Sequence, residues 1–75
     1  MNIKDREKEI SLKISSKLEF MIKKEKTRAS TLSEFIGVTS VNFSRSRNNL
    51  KRGKLPTSYF LIGISNFFNE NFFEL

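Results

Sequence analysis

Seventy-five residues make one domain, and a chain of that size buries only about 60% of its extended-chain surface, so every large apolar side chain counts. With no Cys, no His and one Asp, disulfides, thiolate-metal staples and most general bases and nucleophile partners are missing. The composition therefore points away from an enzyme and implies no metal or cofactor, while a net charge of +6 points toward a polyanionic partner.

The first ten residues are densely charged where a secretory signal would carry its apolar stretch, and the longest apolar run, 59–64, is far too short to span a bilayer. A soluble cytoplasmic protein with no membrane partner is expected, and the lack of Cys fits a reducing compartment. Eight Phe and no Trp leave the core to Phe, Ile and Leu.

Ile10, Ile14, Leu18, Met21 and Ile22 recur at intervals of three and four, with Lys13, Lys17, Lys23 and Lys24 on other faces. That spacing predicts a long amphipathic helix over about 8–26. Thr27, Ser30 and Thr31 each offer an N-cap for a second helix, and Thr31 with Glu34 has capping-box spacing. Gly37 ends that helix by adopting the left-handed conformation. Val38 then anchors the turn, and Thr39 caps a third helix over about 40–49.

Gly53 and Pro56 stop regular structure, and Pro56, Thr57 and Ser58 start a fourth helix with Phe60, Leu61, Ile64, Phe67 and Phe68 on its inward stripe. Asn69 breaks it, and 70–75 is predicted as a short fifth helical turn. No repeat, linker or strand alternation is visible, so the fold class is all-α.

Charge separates the chain in kind. Residues 1–34 mix nine basic with six acidic groups, whereas 35–69 hold no acid and crowd Arg45, Arg47, Lys51, Arg52 and Lys54 into ten positions. With Phe43 turned inward, Leu50 lies almost beneath it, and Val41, Arg45, Asn48 and Arg52 fall on the opposite side of the third helix.

That outer face suits a DNA major groove. Arg grips guanine O6 and N7, Asn grips adenine N6 and N7, and Val meets a thymine methyl. Val41, Ser44, Arg45 and Asn48 are thus the candidate base readers. Arg47, nearer the buried edge, with Lys51, Arg52 and Lys54 toward the following loop, are candidate phosphate contacts, as are Thr39 and Ser40 at the helix N-terminus. The bland alternative makes Arg45 and Arg52 solubilising charges and Val41 a scattered surface residue.

The run Leu32, Ser33, Ile36, Gly37, Val38, Thr39, then Phe43 and Leu50, followed by a basic Gly-containing loop, a Leu-Pro and an apolar helix, resembles the phage-repressor and Cro-like helix-turn-helix proteins, the XRE family. The resemblance covers about 14–75. It implies a compact five-helix lambda-repressor-like domain over 1–75, with the helix-turn-helix at about 28–49. It also implies a homodimeric transcriptional regulator, most simply a repressor, that inserts its third helix into double-stranded DNA.

Three positions depart from the family pattern. Ser33 stands where Ala is usual and is expected to bond back to a carbonyl of its own helix. Ser46 stands where an apolar residue normally faces the core. Arg28 or Ala29 begins the second helix where a backbone-touching Gln is frequent.

Phe72, Phe73 and Leu75 at the Phe-rich end are the expected pairing surface for a second copy; the alternative folds these side chains back as a plug. Two other functional readings remain. A protein-binding regulator, antirepressor or antitoxin-like, would use the same Phe-rich end. An interfacial lipid-binding role for the Lys-rich first helix is opposed by Glu7, Glu9, Glu19 and Glu25. No small-molecule ligand is indicated.

Overall fold

The computed structural model describes residues 2–73. Among them lie four helices, α1 (Ile3–Lys24), α2 (Ala29–Ile36), α3 (Ser40–Lys51) and α4 (Ser58–Phe68), and no strand. Among the described residues no helix is long and apolar enough to cross a membrane.

The first helix starts more than a turn earlier than its apolar spacing predicts. Asn2 Oδ1 accepts a hydrogen bond from the Asp5 N–H at 2.9 Å, and Asp5 in the first turn with Lys23 and Lys24 in the last complements the helix dipole. The added turn and the residue that follows it have a structural use. Glu7 Oε2 accepts from the Leu55 N–H at 3.2 Å, and Lys8 lies against Gly53, so the start of α1 braces the loop between α3 and α4.

None of the three expected N-caps begins α2. The chain turns through a left-handed Lys26 (φ 52°), the Thr27 N–H bonds back to the Ile22 carbonyl at 3.0 Å, and the helix opens at Ala29 with Arg28 in the capping position without a side-chain bond. This early tight turn delivers the chain to α2 before the Thr31–Glu34 pair is reached, leaving Thr31 inside the helix.

The core is continuous across all four helices. Ile14, Leu18 and Met21 of α1, Leu32 and Ile36 of α2, Phe43 and Leu50 of α3, and Phe60, Leu61 and Ile64 of α4 form one buried cluster. Phe43 and Phe60 meet ring to ring at 5.6 Å between centroids.

The predicted fifth helical turn does not form over 70–73; residues 74 and 75 lie outside the described residues. Asn69 takes the left-handed conformation (φ 54°), and the Glu70 N–H bonds to the Ser65 carbonyl at 3.1 Å, which turns the chain back over the bundle. Lys17 Nζ donates to the Asn71 carbonyl at 2.7 Å and sits 5.1 Å above the Phe72 ring.

Phe72, expected as part of a pairing surface, is instead 0% exposed and belongs to the core. Burying one aromatic ring is worth more than exposing it at a chain end, at about 25 cal/mol per Å². Phe73 remains 54% exposed, and Leu75 lies outside the described residues.

Candidate nucleic-acid interface

The corner that presents α3 is built from local bonds. Gly37 closes α2 at φ 85°, with its own N–H and that of Val38 both donating to the Ser33 carbonyl, at 2.9 and 3.0 Å. As expected for a Ser at a close crossing, Ser33 is buried and its Oγ donates to the Ser30 carbonyl at 2.9 Å. Thr39 Oγ1 accepts from the Asn42 N–H at 3.1 Å, fixing the first turn of α3 while its hydroxyl proton can still donate elsewhere.

A clamp that local reading missed holds this corner from behind. Tyr59 of α4 donates its hydroxyl to the Ile36 carbonyl at 2.7 Å, satisfying an acceptor that the end of α2 would leave open. Tyr59 carries no helix-turn-helix signal in the sequence; only the crossing of α4 behind α2 gives it this task.

Buried Phe43 and Leu50 set the rotation of α3. Val41, Ser44, Arg45, Asn48 and Arg52 are all exposed, Val41 by 65%. Ser40, Lys51 and Lys54 are exposed beside them; Lys51 is the last residue of α3 and not part of the loop. Ser46 is half-buried. No carboxylate among the described residues forms an ion pair with Arg45, Lys51, Arg52 or Lys54.

Arg47 differs. Its Nε and Nη2 donate to the two carboxylate oxygens of Glu19 on α1, at 2.7 and 2.6 Å. Two of the five N–H donors of the residue expected to grip phosphate are thus occupied, and its charge is neutralised, from within the protein. The hydrogen bond from Arg47 holds the Glu19 carboxyl below its ordinary value, partial burial opposes this, and the charges of Arg47 and Lys51 add to the lowering. The same bond raises Arg47.

An uncharged surface lies on α2 and α4. Exposed Phe35, Tyr59 and Ile62 border a groove that Gly63 and Asn66 also line, and Phe35 meets Phe67 edge-on at 5.1 Å. Among the described residues no cluster of His, Cys, Asp or Glu could hold a metal ion. No protein-family model matches the chain, and neither a curated protein nor a solved structure matches it.

Proposed function

We propose that this protein binds double-stranded DNA in a sequence-dependent way and regulates transcription in the cytoplasm as a repressor, with α3 in the major groove. One observation carries the reading: a capped helix, rotated by two buried anchors, exposes Val41, Ser44, Arg45 and Asn48 along one face, and no carboxylate among the described residues forms an ion pair with Arg45, Lys51, Arg52 or Lys54. Those side chains reach base edges, while Thr39, Ser40, Lys51, Arg52 and Lys54 bind phosphates. The role is binding without a catalytic step. The helix, glycine turn and helix, with an apolar α4 behind them, also support the likeness to lambda-repressor-like domains. Two copies on adjacent half-sites would gain from linkage, and of the expected pairing residues Phe73 is the one that is described and exposed.

The test is a titration of duplex DNA at several salt concentrations. Neutralising about four to six phosphates per protomer makes log K fall against log salt with a slope of about −4 to −5. A slope near zero rejects the reading. The alternative, a protein-binding regulator, would then be favoured, and its apolar surface would be the exposed Phe35, Tyr59 and Ile62 groove and not the buried Phe72.

A further inference from the structure

We propose that Glu19 is a specificity-determining positioning residue: by holding the guanidinium of Arg47, it keeps that cation off the DNA phosphates and restrains sequence-independent binding. The inference rests on the DNA-binding reading above and deepens it.

Glu19 takes the Nε and one Nη2 N–H of the guanidinium through both carboxylate oxygens, at 2.7 and 2.6 Å, which fixes Arg47 toward α1 and neutralises its charge, so the remaining Nη1 side has no net charge to offer a phosphate. The pair is not sealed in the core. Arg47 and Glu19 keep 26% and 34% of their side-chain surface in solvent, so the guanidinium stands at the edge of α3 within the basic cluster. One turn to either side, Ser44 and Lys51 are exposed. Releasing Arg47 would add a phosphate-binding cation to a surface that already offers Lys51, Arg52 and Lys54.

The consequence follows from what each contact reads. A phosphate contact strengthens binding to every sequence, whereas base-edge contacts by Val41, Ser44, Arg45 and Asn48 strengthen one. Among the described residues Glu19 forms its hydrogen bonds and ion pair with Arg47 and with none of the base readers. By cancelling one cation it lowers the background affinity without changing the groove contacts, and the ratio of specific to nonspecific binding rises.

Glu19→Gln tests this, because it removes the charge and keeps the side-chain size. With the helical content unchanged by circular dichroism, affinity for random-sequence duplex should rise roughly three- to ten-fold at about 0.1 M salt, and the salt slope should steepen by about one unit. Discrimination between a selected site and random duplex should fall. Adding Arg47→Ala should abolish the gain; persistence of the gain would make it a general charge effect and overturn the proposal.

The double variant Glu19→Gln with Arg47→Ala gives an independent arm if Glu19→Gln alone fails to fold, because it leaves no carboxylate stranded beside Lys51. With Arg47 withheld from phosphate in the wild type, the double variant keeps the wild-type salt slope, and a slope shallower by about one unit overturns the proposal. A wild type that binds with the expected slope while Glu19→Gln binds identically also overturns it and leaves the DNA reading intact. A wild type with no salt-dependent duplex binding removes both.

Discussion

A Cβ added to Gly63 would stand 2.7 Å from Cγ1 of Ile36 and 2.9 Å from its Cγ2, so α4 crosses α2 at a separation that only glycine permits. The crossing holds the α2 end of the corner and brings Tyr59 to the Ile36 carbonyl. Gly63→Ala should destabilise the fold by about 1–3 kcal/mol from overpacking, less the roughly 1 kcal/mol that alanine gains in a helix. Chemical denaturation measures the difference. Ile36→Ala in the same chain should relieve part of the clash, so the double variant loses less than the sum of the singles; strict additivity would show that the two residues do not meet.

The two aromatic rings near the chain end should respond oppositely. Phe72→Ala leaves a cavity in the core and should cost about 3 kcal/mol, seen as a lower unfolding midpoint. Phe73, more than half exposed, should tolerate alanine within about 0.5 kcal/mol. If Phe73→Ala instead dissociates a dimer in sedimentation, this ring is the pairing contact; equal stability losses for both variants would contradict the burial of Phe72 alone.

On DNA, a reader and a positioner should separate. Arg45→Ala should cost about 1–3 kcal/mol on the preferred site and flatten discrimination among base substitutions there. Lys51→Ala should weaken all sequences alike and reduce the salt slope by about one unit. Identical, sequence-independent losses for both would refute the division of α3 into base-reading and phosphate-binding positions.

The Glu19–Arg47 pair links stability to pH. The folded-state carboxyl lies below its ordinary value of 4.5, so the unfolded chain binds the proton more tightly. The stabilisation is therefore fully present above the unfolded value and disappears as pH falls through the folded one. For a partly exposed pair it amounts to about 0.5–1 kcal/mol. Denaturation of wild type and Glu19→Gln should differ by that amount at neutral pH and converge at pH well below 4.5. A gap that persists in acid would assign the effect to packing.

Much of the corner was legible in the chain itself because its causes are local. Gly37 takes its left-handed φ, Thr39 caps α3 through a residue three positions on, and the helical period places Phe43 and Leu50 inward with Val41 outward. Each signal acts within a turn or two, so sequence order carries it. Asn69 ends α4 for the same reason.

Other features depend on which distant surfaces meet. Glu19 faces Arg47 across 28 positions and Lys17 reaches Asn71 across 54; no local pattern separates a solvent-facing Glu from one that takes an arginine's fork. The expected fifth helical turn yielded to the burial of Phe72 against α1 and α4, and the expected cap of α2 yielded to the turn through Lys26. By itself the sequence determined a helical chain with a capped, glycine-turned corner and an acid-free basic stretch. Tertiary packing decided that Arg47 is the basic-cluster cation taken by Glu19 and which aromatic ring enters the core, because burial and pairing are set by the helix crossings and not by neighbours along the chain.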